Sequence, residues 1–561
     1  MTDSVRRRSH AQTFRGTVLV VLVMVLAGWI GGEAEAAGIA GPLSVSAGNP
    51  RYFAAPDGSV VYLAGAHTWN NLVDMDDVRP PRRFDFGAYL RFLEVHHYNF
   101  FRLWAWELPA ARSKDYVRRQ YAEPQPWLRT GPGEDITGLP RFDLTKPNGA
   151  YFVRLRERVA AAEAHGIYVS VMLFEGWGAQ FAPGKASHPF NRRNNVNGVD
   201  YGEDPKDIYT LKFPRITAVQ DEYARRVIDT VNEFDNVLYE IVNEAGTYST
   251  AWQAHMIGLV HGYEAGKPKQ HPVGMTSQYP HGDNATLFAS GADWISPNDG
   301  QSDAYSIDPG PADGRKVVVV DTDHIGGSST GTRDWVWRSF TRGMNLLFMD
   351  LYTLPDSVSD SDYYYEYDVR TALGDTRLVA QLLQLRDLVP RPELASTRYV
   401  LAGDHAVVIY QPDLNPLWVD LTQIEGPLGV EWFDTVTGNV REGQGVSGGA
   451  KVTLQPPLLH PTIVLLRATS NHAPGLASIE PAATKMREDA LGYLRWSSAV
   501  KQRFRNWLAV HAPVPGTREF VFTFVAGFAA AICAFGAFMV IGTVISRRRH
   551  TGGTRRWTFW G

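Results

Sequence analysis

Between residues 60 and 350 short apolar runs alternate with longer segments whose apolar residues recur at helical spacing, and this alternation constrains the fold most. The apolar runs are 60–65 (VVYLAG), 99–104 (NFFRLW), 167–174 (IYVSVMLF), 237–242 (VLYEIV), 272–276 (PVGMT), 293–296 (DWIS), 316–320 (KVVVV) and 346–349 (LLFM). Run 167–174 is almost continuously apolar, as a strand covered on both faces must be. Helices are predicted over 84–95, 151–165, 219–234, 252–264 and 334–342, the second stopped by Gly166. Eight strands joined mostly by helical crossovers predict an α/β fold of the (β/α)8 (TIM) barrel type. A doubly wound open sheet would carry an early phosphate-binding loop. The Gly-rich stretch 326–331 lacks the lysine of such a loop and follows no early strand, so it reads as a flexible βα loop. Residues 108–147 and 175–215 read as long loops, and 371–388 as a further helix.

Residues 393–470 carry short alternating segments such as HAVVIYQ, LWVDLT and TIVLLRA, which predict a small β-sandwich after the barrel of 37–392. The two ends point to a membrane. Arg6, Arg7, Arg8 and Arg15 precede an apolar run, and Ala34-Glu35-Ala36 follows it, the layout of a signal peptide over 1–36. Residues 520–545 carry no charge and are followed by Arg547, Arg548 and Arg549. They predict a transmembrane helix over 519–546, with 471–518 as a juxtamembrane stalk and 547–561 as a basic cytoplasmic tail. The expected location is therefore the bacterial cytoplasmic membrane, with the barrel facing the periplasm or exterior and the lipid bilayer as a partner. Cys533, the single cysteine, falls inside the expected span, so the outer part relies on no disulfide. With 55 Lys+Arg against 59 Asp+Glu, no basic excess exists to bind nucleic acid.

In a barrel the chemistry sits at the C-terminal ends of the strands. Glu244 closes the fourth strand in YEIVNEAG, and Asp321 and Asp323 close the seventh in KVVVVDTDHIGG. Carboxylates on opposite sides of the mouth suit glycoside hydrolysis, in which one protonates the leaving oxygen while the other attacks the sugar or activates water. By position, His67, Trp69, Trp104, Trp106, Glu107, Glu175, Trp177, Tyr279 and His324 are candidates to line a sugar site, through stacking indoles and hydroxyl-binding polar groups. Asp350, at the eighth strand's end, is explained as well by ion pairing as by catalysis. A metal hydrolase barrel would be expected to carry His-x-His on its first strand, where Ala66-His67-Thr68 stands. A serine hydrolase would need a GxSxG elbow, which is absent. No metal or cofactor is expected.

Asn243-Glu244 at the fourth strand resembles the Asn-Glu pair of the large clan of retaining barrel glycosidases that includes cellulases and mannanases. More specifically, residues of about 45–470 resemble the cellulase-like and apiosidase-like barrel proteins whose C-terminal β-domain is named for collagen binding. The segments that carry this are NPRYFAAPDGSVVYLAGAHTWNNLVD from Asn49, NFFRLWAWE from Asn99, GIYVSVMLFEGW from Gly166, NVLYEIVNEAG from Asn236, DTDHIGG from Asp321 and EWFDTVTGNV from Glu431. The resemblance implies a glycoside hydrolase of extracellular or cell-surface polysaccharide or oligosaccharide, with a retaining mechanism. It implies Glu244 as acid/base, Asn243 as the partner of the sugar 2-hydroxyl, and Arg102 as the orienter of the nucleophile, which is Asp321 or Asp323. The clan places glutamate where this chain has aspartate, one methylene shorter, and that departure leaves a non-catalytic carbohydrate-binding or structural envelope protein as the alternative.

Overall fold

The computed structural model describes residues 38–111, 120–300, 304–326, 331–350, 352, 360–469 and 473–491. Eight parallel strands close into a barrel. In chain order they are β1 (Ala64–His67), β2 (Phe100–Leu103), β3 (Tyr168–Glu175), β4 (Val237–Asn243), β5 (Val273–Thr276), β6 (Trp294–Ser296), β7 (Val317–Asp321) and β8 (Asn345–Met349). β3 and β4 pair over most of their length, Val169 opposite Val237 through Glu175 opposite Asn243. The ring closes where β8 pairs with β1 and β1 with β2. At that last junction a side chain on Gly65 would put its Cβ 1.7 Å from the Phe100 carbonyl oxygen, so the strands approach only because residue 65 has none.

The outer helices are α1 (Phe86–Val95), α2 (Gly149–Ala164), α3 (Pro214–Val231), α4 (Thr250–Glu264), α5 (Asn284–Ala289), α6 (Arg333–Thr341) and α7 (Asp360–Leu382). Their starts are written locally. Asp85, Asn148 and Thr332 each accept a hydrogen bond from a first-turn N–H of α1, α2 and α6, and α3 opens on Pro214. Among the described residues no helix joins β6 to β7. The lower barrel is filled by Leu63, Phe100, Tyr168, Leu238, Trp294, Val317, Val319 and Leu347. Leu43 and Phe53 pack into the same cluster from the N-terminal segment, where Ser44–Val45, Phe53–Ala54 and Val60–Val61 form a small antiparallel sheet. The run 60–65 is thus split between this sheet and β1.

The predicted loop 108–147 contains strands: Trp127–Glu134 and Pro140–Pro147 form a hairpin, and Gln120–Glu123 pairs with Asp74–Asp76 and Ala110–Ala111. The C-terminal strands are β9 (Val389–Pro390), β10 (Val400–Ala402), β11 (Ala406–Gln411), β12 (Leu417–Asp420), β13 (Pro427–Asp434), β14 (Val440–Glu442), β15 (Val446–Ser447), β16 (Lys451–Leu454) and β17 (Thr462–Ala468). One sheet runs β9-β10-β11-β17-β13-β14 with β15 on β13, and β12 pairs with β16 in a second. Val407, Ile409, Val419, Trp432, Leu454 and Val464 share one core between them. Buried Trp337 on α6 meets the rings of Tyr410 and Phe433, and the Tyr410 hydroxyl donates to Asp334 at 2.8 Å, which seats this region on the barrel.

The membrane expectation is corrected. Among the described residues no helix is long and apolar enough to cross a membrane. The longest, α7, carries Asp368, Arg370, Asp375 and Arg377, whose charges lipid would not accept. The expected signal peptide over 1–36, span over 519–546 and tail over 547–561 lie outside the described residues. A transmembrane helix, a lipid-bilayer partner and anchoring in the cytoplasmic membrane are therefore not carried further.

Candidate active site

Arg102 points from β2 into the barrel and is fully buried, where a guanidinium is tolerable only if its charge is met. Its Nε donates to Glu240 Oε2 at 2.8 Å, and its Nη1 donates to Asp323 Oδ2 at 3.2 Å. Its Nη2 lies 2.9 Å from Asp321 Oδ2 in an ion pair, but directs its hydrogen bond to His324 Nε2 at 3.0 Å. Three carboxylates from β4, β7 and the turn after β7 thus converge on one cation. Burial alone would lower the Arg102 pKa, but Glu240, Asp321 and Asp323 together raise it above its usual value.

Asp321 ends β7 and is fully buried. Its Oδ1 lies 3.1 Å from His67 Nε2 and accepts from the Asp323 N–H at 3.0 Å. Burial would raise its pKa, yet His67 and Arg102 overcome this and hold the carboxyl well below the usual range. Asp323 sits in the 3-10 turn Thr322–Ile325 with its side chain 12% exposed. Burial and the neighbouring Asp321 charge raise its pKa. His324 Nε2 lies 3.0 Å from Arg102 Nη2 and 3.2 Å from Asn243 Oδ1, and its Nδ1 lies 2.7 Å from Ser296 Oγ. Burial, then Arg102, push this imidazole down to about 3 and keep it neutral.

Glu244 follows β4 with a φ of 47°, the left-handed region that non-glycine residues rarely enter. The turn costs on the order of 1 kcal/mol and takes the carboxyl out of the strand's alternation. Gln180 Nε2 donates to the Glu244 carbonyl at 2.6 Å. No described residue hydrogen-bonds the Glu244 carboxyl, and burial, then Asp323, then Glu175, raise its pKa well above the carboxylate range. One carboxyl whose pKa is raised and another whose pKa is lowered, in the same site, make the division of labour that acid catalysis needs.

Asn243 joins the two parts. Its Oδ1 accepts from Arg102 Nη1 at 3.5 Å, and its Nδ2 donates to Glu175 Oε1 at 3.4 Å. Glu175 also caps the short helix Gly176–Phe181, accepting from the Gly178 N–H at 2.8 Å. Its pKa is pushed up to about 8, first by burial and then by the Glu107 charge, against the Gly178 hydrogen bond. Between about pH 4.5, the ordinary glutamate value, and about pH 8 the folded protein keeps a proton that the unfolded chain has released. The Glu175 contribution to stability therefore falls as pH rises through that window, by at most about 1.4 kcal/mol per unit. In urea unfolding, Glu175→Gln is expected to gain on the wild type between pH 5 and pH 8, and a constant difference would refute the raised pKa.

The other predicted residues divide by environment. Trp104 is buried, stacked on His67 at 5.3 Å and beneath the Arg102 guanidinium, with the partly exposed Trp69 tilted against it. Trp106 is buried, and its carbonyl holds Gln125. Glu107 does not open to the mouth: its Oε2 accepts from the Tyr209 hydroxyl at 2.8 Å and the Glu175 N–H at 2.7 Å, with His188 3.4 Å from Oε1. It ties the loop after β3 to the barrel. Trp177 is partly exposed and contacts Phe181, which contacts the exposed Tyr279. Asp350 is an ion-pair residue, held by Arg370 from α7. Sequence reading missed Glu240, although a glutamate inside the apolar run VLYEIV had to find a buried cation. It also missed Gln180, Phe181 and Ser296, which carry no comparable signal.

No family model and no curated protein matches this chain. Solved structures do. A glycoside hydrolase family 5 protein from Bacteroides vulgatus ATCC 8482 superposes with a TM-score of 0.53 at 12% identity, covering 78% of this chain and 95% of its own. A second protein from that organism, assigned to the glycoside hydrolases, gives 0.50 at 12% identity over 76% of this chain and 82% of its own. These likenesses establish the fold, a (β/α)8 barrel like that of the family 5 glycoside hydrolases.

Proposed function

We propose that this protein is a glycoside hydrolase that works through a covalent glycosyl intermediate, with Glu244 as acid/base and Asp323 as nucleophile. The observation that carries the reading is the pairing of a raised Glu244 carboxyl with an Arg102-bound aspartate pair at the barrel mouth. The Asp323 carboxylate attacks the anomeric carbon as the bond to the leaving oxygen breaks, and that oxygen takes the Glu244 proton. Glu244 then removes a proton from water, which attacks the glycosyl ester and frees Asp323. Asp323 is favoured over Asp321 because its side chain is the more open of the two and its charge acts more strongly on Glu244. Asp321, closed in by His67 and Arg102, is the fixed charge that positions Arg102. Asn243 and the partly exposed Trp69 are proposed to bind the attacked sugar. The relation to apiosidase-like proteins is part of this proposal.

The test is hydrolysis by the full chain of cellotetraose, mannotetraose and a wider panel of oligosaccharides. A 2-deoxy-2-fluoro glycosyl fluoride of the accepted sugar is expected to inactivate the enzyme. Fragment mass spectrometry of the peptide holding both aspartates should then place the label on Asp323. A label on Asp321 would exchange the two roles, and binding of a glycan without cleavage would favour a binding protein.

A further inference from the structure

We infer that Phe181 and Tyr279, with Trp177 beside them, form the surface that binds the departing sugar, so that the substrate is one whose leaving group is itself a pyranose. This inference rests on the glycosidase reading above. Phe181 ends the short helix after β3, and Tyr279 follows β5. Their ring centroids are 5.6 Å apart at 63°, and each residue is 43% exposed. Trp177 lies 5.9 Å from Phe181. Two large rings that touch each other yet stay open to water leave apolar area unburied beside the mouth, whereas Trp104 and Trp252 are enclosed. Aromatic faces of this kind match the C–H faces of pyranoses.

The placement gives the surface its side. β3 and β5 both flank β4, which delivers Glu244, while β7 lies beyond β5 and β6. Gln180 ties the rings to the acid: its Nε2 donates to the carbonyls of Glu244 at 2.6 Å and of Tyr279 at 3.4 Å. The acid gives its proton to the oxygen that departs, so the sugar carrying that oxygen must lie on the Glu244 side. The rings therefore recognise the leaving group rather than the sugar that is attacked. In the second half of the reaction the same surface would seat an acceptor sugar in place of water.

Glycosyl fluorides test this, because fluoride departs without a sugar. For wild type, Phe181→Ala, Tyr279→Ala and the double variant, kcat/KM is measured on cellotetraose and mannotetraose and on β-glucosyl and β-mannosyl fluoride. In the double variant the ratio of oligosaccharide to fluoride kcat/KM is expected to fall by about ten-fold or more, and Tyr279→Trp is expected to keep it. An equal loss on both substrates, or a loss confined to the fluoride, overturns the leaving-group assignment while the hydrolase reading stands. No release of sugar or fluoride by the wild-type protein overturns that reading, and the assignment with it.

Discussion

Replacing Glu244 with glutamine is expected to lower kcat/KM on oligosaccharides by about 10³-fold, within the range that general acid–base groups supply. The substitution keeps the size of the side chain and removes only its proton exchange. The carboxyl has no hydrogen-bond partner among the described residues and sits in a strained turn, so folding should not suffer. Two further readings separate loss of the acid from general damage. Activated aryl glycosides, whose leaving groups need little protonation, should lose far less in the first step. Azide should rescue Glu244→Ala by attacking the glycosyl enzyme without base assistance, giving a glycosyl azide of retained configuration. A uniform loss on oligosaccharides and activated glycosides alike, without azide rescue, would remove Glu244 from the acid/base role.

Arg102→Ala is expected to destabilise the fold by about 3–5 kcal/mol, the scale seen when one partner of a buried ion pair is removed. The cost here comes from Glu240, Asp321 and Asp323, which lose their shared cation while remaining enclosed. Protonation can relieve such stranded carboxylates, so the deficit in urea unfolding should shrink as pH falls from 7 to 5. Arg102→Lys should recover only part of the loss, because a single ammonium cannot serve Glu240, Asp321, Asp323, His324 and Asn243 together as the planar fork does. A deficit below about 1 kcal/mol at pH 7 would show that Arg102 is not the charge centre of the site.

Much of the barrel was legible because its strands are short, apolar and bounded by polar residues. The run 237–242 became Val237–Asn243 and the run 316–320 became Val317–Asp321, each displaced by a residue at most. The predicted helix 371–388 begins instead at Asp360, since its first turns are polar and carry no apolar stripe. The hairpin within 108–147 escaped notice because Gly131, Pro132 and Gly133 interrupt the alternation that marks a strand. The membrane reading rested on 519–546, a segment outside the described residues, and no described helix replaces it.

The sequence by itself determined the order of the barrel strands and their main helices and the acidic residues at the ends of β4 and β7. Those properties are local, since periodicity, caps and a charge closing an apolar run can each be read from near neighbours. Only the tertiary structure decided which carboxyl pKa rises, which falls, and which candidates face outward. Glu107 and Tyr279 stood as equals in the sequence, yet Tyr209 and His188 close over the first while the second stays open. Glu244 and Asp321 are both carboxylates at strand ends, and their pKa values move in opposite directions. The reason is that desolvation and charge act through space: His67 and Arg102 lie 254 and 219 residues away from Asp321 in the chain and within 3.1 Å of it in the fold.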